Sequence, residues 1–491
     1  MTTITSSKYG TVNSLINGKK VQENGFETKE VFSPTTGELL ATLNYTTKEN
    51  LDAAVESAQK AFELWSKTNV KERAQVFYKY WSLLNQHKAE LTELVHLENG
   101  KTLSEAQAEV EKSIELTEFA CSIPQLIGGE TLEVSNGVSC TTVHEPVGVV
   151  ACITPFNFPN MVPHWTVPNA LMTGNAVILK PSEEVPLSAY KMAELLQEAG
   201  LPAGLFNIVN GGKEMVEAIC DHPGIKALSF VGSTPVAKIV YSRASMNLKR
   251  ALALGGAKNH LVVLPDADPT MTANNVVASM AGCAGQRCMA ASVMVAVGDV
   301  DHIIEQMVEE ANKLTCGVNL GAVIHEKAKA RIESYITQAE ANGAKILVDG
   351  RNTTVEGKEG GTYVGPTIID YANIGDPIVT EEVFGPVIAI IRVKTIEEAI
   401  AIENSSAFGN AASIFTQSGK AAAMFTGTAS AGMVGVNVGV PVPREPFAFA
   451  GWNDSKFGVG DITGKSSLNF WTQTKKITTK WQAGAKVNWM S

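Results

Sequence analysis

The sequence predicts an α/β protein built on a doubly wound parallel sheet, and two stretches of the chain carry this prediction. Between residues 147 and 247, short β-branched runs alternate with helix-length segments that end near Gly or Pro. A second alternating series begins after Pro265 and continues to about Val438. Alternation at this spacing is typical of parallel strands with helices on both faces of the sheet. Because the chain has 491 residues, we expect two or more domains.

The residues before the first series are predicted to form short strands and then several helices. Short strand-like pieces lie between residues 11 and 45, and Thr47 is expected to cap a helix. The apolar positions of that helix recur at helical spacing and are Leu51, Ala54, Val55, Ala58, Phe62 and Trp65. Further helices are expected over 71–87, 89–97 and about 103–121. Residues 130–145 are typical of a hairpin with Asn136-Gly137 at its turn.

The first alternating series gives strands and helices in strict succession. The expected strands are 147–153, 176–179, 206–209 and 227–231, and the expected helices are 159–173, 187–199, 213–221 and 235–247. Ligands of such sheets bind at the carboxyl ends of the strands. The loops 154–159, 180–184 and 232–234 are therefore candidate binding loops.

The second series is expected to contain a helix at 270–281 and strands near 291–297, 345–349, 386–392, 411–415 and 433–438. The tail, residues 466–481, alternates apolar and polar residues in the manner of an edge strand. Such a strand can pair with its own chain or with another subunit.

Composition and charge argue against several classes of function. Hydrophobic residues make up 45% and charged residues 18%, as in ordinary soluble enzymes. A net charge of −10 argues against a nucleic-acid or anionic-membrane binder. There is no signal-peptide pattern and no apolar stretch of membrane-spanning length. Seven cysteines without CxxC pairs suit a reducing cytosol, and eight scattered histidines predict no metal site. We therefore expect a cytoplasmic protein.

A cysteine at the centre of a glycine-containing turn, Cys288, is the candidate nucleophile. The turn Gly282-Cys-Ala-Gly-Gln-Arg-Cys288 separates the expected helix from the strand 291–297. A neighbouring cation, Arg287, is expected to lower the pKa of the Cys288 thiol. The alternative is a small apolar residue without chemistry, which is our interpretation of the other six cysteines.

Two of the binding loops suit a dinucleotide, although the usual GxGxxG motif is absent. Gly232-Ser-Thr234 follows a strand and opens a helix, where backbone amides can hold a pyrophosphate; an ordinary helix cap is the alternative. Lys180-Pro-Ser-Glu183-Glu184 can bond ribose hydroxyls, and its carboxylates would repel a 2′-phosphate, which favours NAD over NADP. A solvated loop is the alternative here.

The third loop offers an oxyanion donor. In Pro155-Phe-Asn157-Phe-Pro159, two prolines and two aromatic residues fix one asparagine, whose amide can donate to a developing oxyanion. Such a donor contributes about 3 kcal/mol to a transition state. The alternative is a buried asparagine that only shapes the turn.

Five motifs together resemble the aldehyde dehydrogenase superfamily in their order and spacing. They are Phe156-Asn-Phe-Pro159, Leu179-Lys-Pro-Ser-Glu183, Phe230-Val-Gly-Ser-Thr234, Gly285-Gln-Arg-Cys288 and Glu381-Glu-Val-Phe-Gly-Pro386. The resemblance covers about residues 15–481. Within the superfamily, Arg287-Cys-Met-Ala290, Gly256-Ala-Lys-Asn-His260 and Gly435-Val-Asn-Val-Gly-Val-Pro441 resemble the acylating methylmalonate-semialdehyde dehydrogenase branch.

The resemblance implies roles for individual residues. Cys288 is the implied nucleophile, and Asn157 forms the oxyanion hole with the Cys288 backbone amide. Glu382 is implied to hold the nicotinamide ribose, with Phe384 nearby. The other implied NAD-binding residues are Thr154, Phe156, Lys180, Glu183, Glu184, Ser233 and Gly255.

The resemblance also implies an aldehyde dehydrogenase-like architecture. A Rossmann-type cofactor domain would comprise residues 1–122 and 145–255, and an α/β catalytic domain residues 256–440. A small β oligomerisation arm would comprise residues 123–144 and 465–491. Such proteins assemble as homodimers or homotetramers, which we expect here.

One departure from the superfamily concerns acyl release. Hydrolytic members carry Glu-Leu-Gly-Gly, in which the glutamate is the general base for water; this chain reads Ala253-Leu-Gly-Gly256. Loss of a general base slows water attack by about 10²–10⁴-fold. A thiol needs less help because part of it is already ionised at neutral pH. Coenzyme A is therefore the expected cosubstrate and acyl acceptor.

A second departure concerns the substrate, expected to be a short acidic semialdehyde of the malonate or methylmalonate type. Arg287 is expected to pair with its carboxylate. Where the branch usually offers a second arginine this chain has Lys112, which keeps the charge but loses the planar fork. The segment 315–323 is also shorter than in relatives. The alternatives are a hydrolysing semialdehyde dehydrogenase that uses another base, such as Glu382, and a non-catalytic protein that keeps the fold.

Overall fold

The computed structural model describes residues 7–22 and 27–481, and its central part consists of alternating strands and helices. The helices are α1 (Lys48–Trp65), α2 (Val70–Gln86), α3 (Lys88–Asn99), α4 (Leu103–Cys121), α5 (Ile123–Leu126), α6 (Met161–Met172), α7 (Leu187–Glu198), α8 (Lys213–Asp221), α9 (Thr234–Met246), α10 (Pro269–Ala281), α11 (Asp301–Asn312), α12 (Glu326–Ala341), α13 (Pro377–Thr380), α14 (Ile396–Asn404), α15 (Gly419–Thr428) and α16 (Ser467–Trp471).

Within residues 7–22 and 27–481, the strands form five sheets, three of which are described below. They are β1 (Thr11–Val12), β2 (Ser14–Ile16), β3 (Lys19–Val21), β4 (Thr28–Phe32), β5 (Leu39–Asn44), β6 (Thr131–Ser135), β7 (Val138–Pro146), β8 (Val149–Ile153), β9 (Ala176–Lys180), β10 (Phe206–Ile208), β11 (Ile225–Val231), β12 (Arg250–Leu254), β13 (Asn259–Val263), β14 (Ala291–Val297), β15 (Lys345–Val348), β16 (Thr367–Asp370), β17 (Val387–Val393), β18 (Phe408–Gly409), β19 (Ala411–Phe415), β20 (Met433–Val436), β21 (Trp452–Asn453), β22 (Lys456–Phe457) and β23 (Thr472–Lys480).

The first large sheet has the order β22-β12-β11-β8-β9-β10-β2-β3, and its five central strands, β12 to β10, are parallel. Ile153 pairs with Lys180 and with Phe230, so these parallel strands end at one edge. The predicted binding loops therefore meet there. One apolar core packs around this sheet, and its buried strands read as continuous apolar runs.

The second large sheet has the order β15-β16-β17-β14-β13-β19-β20, parallel except for β15. It is surrounded by the second apolar core. The predicted α/β fold class with a doubly wound parallel sheet is confirmed by these two sheets.

Local sequence explains several helix boundaries. The Thr47 hydroxyl accepts from the Asn50 N–H and caps α1, as predicted. At α4, Thr102 and Glu105 form a reciprocal capping box, so this helix begins at Leu103.

Some predicted elements were wrong or missed. The tail was expected to be a strand throughout 466–481, but Ser467–Trp471 is helical and only β23 is extended. Strands β12, β13 and β16 were not predicted. The alanines of β12 give it a low β-propensity.

The third sheet, β23-β7-β6, corresponds to the predicted arm. The hairpin has Asn136-Gly137 at its turn, and β23 pairs along its whole length with β7 of the same chain. Residues 482–491 of the predicted arm lie outside the described residues, and the domain boundaries stay a prediction. One segment outside all three predicted ranges, β22, joins the first sheet.

Candidate active site

A cavity of about 960 Å³ opens where the strands β8, β9 and β11 end and where the turn before β14 faces them. Ten of the residues singled out in the sequence line it. They are Cys288, Asn157, Thr154, Phe156, Lys180, Glu183, Ser233, Gly255, Glu382 and Phe384. A single concave site that collects residues from two sheets is the arrangement expected of an active site.

Three of the predicted site residues do not line the cavity, and their side chains bind other groups of the chain. Glu184 pairs with Lys29 at 2.5 Å and does not line the cavity. Lys112 pairs with Glu445 at 2.6 Å. The guanidinium of Arg287 donates to backbone carbonyls at the end of α10, those of residues 278 and 279. Arg287 and Lys112 were expected to supply the cations for the substrate carboxylate, but neither lines the cavity, because internal carbonyl and carboxylate partners hold both cations.

The turn that carries Cys288 has an unusual backbone. Cys283 and Ala284 adopt left-handed φ values of 54° and 53°, and Gly285 follows at 70°. A Cβ at Gly285 would lie 1.9 Å from the backbone oxygen of Gly385, so only glycine fits. This close approach joins the nucleophile turn to the loop that bears Glu382 and Phe384.

The backbone of the nucleophile is fixed by two asparagines that the sequence analysis missed. The Cys288 carbonyl accepts from the Nδ2 atoms of Asn259 at 2.9 Å and Asn410 at 2.8 Å. Asn259 begins β13 and Asn410 immediately precedes β19, so two neighbouring strands hold one peptide group. Cys288 itself is partly exposed to the cavity.

The Cys288 thiol is not activated in the way predicted. Burial, together with the negative charge of Glu382, raises its pKa from 9.0 to about 12. Arg287 lowers the pKa, but its effect is smaller than either. Arg287 thus acts in the predicted direction, but the net activation of the thiol that we expected is wrong, because burial and the Glu382 carboxylate in the same cavity outweigh a guanidinium that lies against the helix carbonyls.

Asn157 lies in the loop between β8 and α6, and its side chain is nearly buried. Its Nδ2 donates to the carbonyl of Gln286, two residues before the nucleophile, at 3.0 Å. The amide carries two hydrogens and this bond uses one of them. The bond therefore orients the amide toward the nucleophile turn and leaves a donor for a ligand atom.

The cofactor side of the cavity combines an ion pair with the start of a helix. Lys180 donates to Glu183 at 2.9 Å. Burial would raise the pKa of Glu183, but the charge and hydrogen bond of Lys180 lower it overall. Ser233 stands at the N-cap of α9, yet its hydroxyl makes no capping bond to the described backbone. The first turn of α9 is therefore open to an anionic ligand, as a pyrophosphate site requires.

Glu382 and Phe384 complete the opposite wall. Glu382 accepts from the backbone N–H of Ala257 at 2.9 Å, and burial raises its pKa to about 6. A Cβ at Gly256 would lie 2.4 Å from the Glu382 carboxylate, so this glycine makes room for it. The Phe384 ring meets Phe156 edge to face, with centroids 5.8 Å apart.

Arg331 and Lys258 are two further cations near this wall that the sequence analysis missed. Arg331, on α12, lines the cavity and donates to the carbonyl oxygens of Glu382 and Val383. Burial lowers the pKa of Lys258 to about 7, which Glu382 partly opposes. Lys258 lies in the quoted motif Gly256-Ala-Lys-Asn-His260, but the motif assigned it no role, and Arg331 lies in none of the quoted motifs.

Within the part of the chain that the structure describes, no cluster of three His, Cys, Asp or Glu side chains could hold a metal. None of the described helices combines the length and the apolarity that crossing a bilayer requires.

Comparison with known proteins gives consistent matches. The model of the aldehyde dehydrogenase family matches residues 20–477. Malonate-semialdehyde dehydrogenase 1 of Geobacillus thermodenitrificans (strain NG80-2) is 44% identical over 480 residues, which cover 96% of this chain and 99% of that protein.

Two solved structures superpose with a TM-score of 0.95 each, both at 42% identity. One is the methylmalonate-semialdehyde dehydrogenase of Oceanimonas doudoroffii, with 97% of this chain and 99% of that chain covered. The other, from Sinorhizobium meliloti 1021, is assigned as a methylmalonate-semialdehyde dehydrogenase and was solved with NAD, with 98% and 99% covered.

Proposed function

The chain belongs to the aldehyde dehydrogenase family, and we propose that it oxidises a short acidic semialdehyde with NAD and transfers the acyl group from Cys288 to coenzyme A. The observation that carries this proposal is the cavity that collects Cys288, Asn157 and the residues suited to NAD in one site. The relatives named for malonate and methylmalonate semialdehyde support the substrate class.

The first half of the reaction uses Cys288 and Asn157. The Cys288 thiolate adds to the aldehyde carbon. The resulting oxyanion accepts hydrogen bonds from the free N–H of the Asn157 amide and from the Cys288 backbone N–H. Bound NAD supplies the hydride acceptor. Loss of hydride from the tetrahedral adduct restores the carbonyl and leaves a thioester on the Cys288 sulfur.

NAD suits the residues on the cofactor side of the cavity. The open first turn of α9 would receive the pyrophosphate, with Ser233 at its start. The Lys180–Glu183 pair would bond ribose hydroxyls, and the ionised carboxylate disfavours a 2′-phosphate. Thr154, Phe156 and Gly255 would line the same space, and Glu382 would hold the second ribose near Phe384.

The absence of a general base for water at residue 253 favours acyl transfer to coenzyme A. Ala253 is fully buried in β12, where hydrolytic relatives are expected to carry a glutamate. Water attack on the thioester should therefore be slower by about 10²–10⁴-fold. A thiolate of coenzyme A can add to the thioester carbonyl and expel the Cys288 thiolate without a general base.

Single-turnover experiments test this proposal. Enzyme mixed with NAD and malonate semialdehyde should give one equivalent of NADH quickly and then nearly stop. Added coenzyme A should restore turnover and yield an acyl-CoA detectable by mass spectrometry, while Cys288→Ala gives no NADH. Propanal in place of the semialdehyde tests whether the carboxylate matters, because the two cations expected to bind it are held by other groups.

A hydrolysing dehydrogenase is the second candidate. Glu382 lines the same cavity as Cys288 and has a pKa of about 6, so it is ionised at neutral pH and can serve as a base. Free acid formed at full rate without coenzyme A would favour this reaction and contradict acyl transfer.

We also propose a homodimer or homotetramer in the cytoplasm. The predicted arm exposes the apolar side chains of Leu132, Val134 and Ile477, which is unusual for a monomeric surface. Light scattering coupled to gel filtration would measure the subunit count, and a monomer at micromolar concentration would contradict the assembly.

A further inference from the structure

A buried ion pair lies directly behind the loop that carries Asn157. Lys101 and Glu109 approach to 2.5 Å, and their side chains are 1% and 0% exposed. The Lys101 ammonium also donates to the backbone carbonyl of Asn157 and lies 3.8 Å from the centroid of the Phe158 ring. One cation therefore contacts two successive residues of the loop.

The carboxylate of this pair holds the other end of the same loop. One oxygen of Glu109 accepts from the backbone N–H groups of Asn160 at 2.8 Å and Met161 at 3.0 Å, where α6 begins. The loop from Asn157 to Met161 is thus fixed at both ends by one ion pair.

The segment that supplies Lys101 also contacts both walls of the site. Asn99 donates to the carbonyl of Phe156 at 2.8 Å. Glu105 accepts from the backbone N–H of Cys283 at 2.6 Å, in the left-handed part of the nucleophile turn. Residues 99–109 therefore connect the oxyanion loop with the turn that presents Cys288.

We propose that Lys101 and Glu109 are positioning residues that hold the Asn157 amide where the oxyanion forms at Cys288. The inference rests on the proposed function, because it assigns Asn157 the oxyanion. A buried pair of this kind is weak evidence for stability, since apolar residues of similar volume often serve as well. An apolar pair could not make the hydrogen bonds that this ion pair makes with the backbone of the Asn157 loop.

The test separates a reaction that forms an oxyanion from one that does not. With p-nitrophenyl acetate, the Cys288 thiolate adds to the ester carbonyl, p-nitrophenolate leaves and an acetyl thioester remains. With iodoacetamide, the same thiolate displaces iodide and no oxyanion forms. Mass spectrometry of the Cys288 peptide measures alkylation separately from that of the other cysteines.

Lys101→Met and Glu109→Gln should slow the p-nitrophenolate burst by about 10–10²-fold, the effect of a misplaced reacting group. Cys288 alkylation should change less than about twofold, and Lys101→Arg should restore part of the burst. The matched control is Lys249→Met, which removes another buried ammonium bound to two backbone carbonyls away from the cavity. It should leave both reactions unchanged.

Equal slowing of both reactions in Lys101→Met and Glu109→Gln, or no slowing of either, overturns the inference. So does the absence of a burst in the unmodified protein, because Cys288 and Asn157 would then not form an acyl-transfer site. The burst needs neither NAD nor a semialdehyde. Failure of the proposed function, seen as no NADH from any semialdehyde, is therefore distinguishable from failure of the positioning roles.

Discussion

The resting Cys288 thiol should be a poor nucleophile in the ligand-free protein, and Glu382 should be part of the reason. Burial and the Glu382 charge raise the thiol pKa from 9.0 to about 12. At pH 8 the thiolate fraction therefore falls from about 9% to about 0.01%. Because the intrinsic nucleophilicity of a thiolate rises with its pKa, the higher reactivity of each thiolate offsets roughly 25-fold of this loss in thiolate fraction. The net expectation is alkylation roughly 40-fold slower than that of N-acetylcysteine, before any steric effect.

Replacement of Glu382 by Gln removes the negative charge and should lower the Cys288 pKa. For each unit that the pKa falls, the thiolate fraction rises about tenfold and the alkylation rate about threefold. Glu381→Gln is the matched control: this neighbouring carboxylate bonds Tyr335 at 2.5 Å and does not contribute to the shift at Cys288.

The assay is iodoacetamide alkylation followed by mass spectrometry of the Cys288 peptide between pH 7 and 10. The rate in the unmodified protein should rise about tenfold per pH unit throughout this range, because the pKa lies above it. A plateau below pH 9, or equal rates in the unmodified protein and Glu382→Gln, would refute the reasoning. A plateau would instead support the activation by Arg287 that the sequence suggested.

Three other changes test separate parts of the structure. Asn157→Ala should lower kcat about 10²–10³-fold with unchanged NAD affinity in stopped-flow assays; an equal loss of NAD binding would contradict the oxyanion role. Arg287→Met should lower the Tm but change KM for an acidic aldehyde less than about threefold, since its guanidinium binds helix carbonyls; a KM rise above tenfold would restore the substrate role. Burial lowers the pKa of His164 to about 4. The neutral side chain therefore contributes about 3 kcal/mol to the free energy of unfolding above pH 6.5, and this contribution is lost as the pH falls toward 4. The double variant Tyr80→Phe/His164→Leu should therefore flatten the acid side of the urea-unfolding profile, and an equally steep fall would show the reasoning to be wrong.

The fold could be predicted where the pattern is periodic and its ends are marked. Between β8 and α9 the chain alternates apolar runs with helices stopped by glycine, and the observed boundaries follow those marks closely. One strand that escaped prediction, β12, lacks such signals. Arg250–Leu254 is rich in alanine, and the chain continues directly into the Gly-Gly of the cavity wall. It is a strand because β11 beside it offers a parallel partner, which is tertiary information.

The candidate site likewise contains residues whose roles the sequence could predict and residues whose roles it could not. Cys288, Asn157 and Lys180 lie in motifs whose local chemistry points to a role, and they all line one cavity. Arg287 was misjudged because adjacency in sequence says nothing about direction, and its side chain points back to the preceding helix. Lys101 stands 56 residues from the carbonyl it binds, so no spacing rule could reveal the contact.

The absent carboxylate at Ala253 also bears on the state of the thiol. Glu382 already shares the cavity with Cys288 and raises its pKa. A second buried carboxylate at residue 253 would add another negative charge and raise the thiol pKa further. Alanine at residue 253 therefore supplies neither a base for water nor a second anion that would oppose thiolate formation. Both effects favour chemistry in which one thiol replaces another at the acyl carbon, since that exchange depends on thiolates rather than on an activated water.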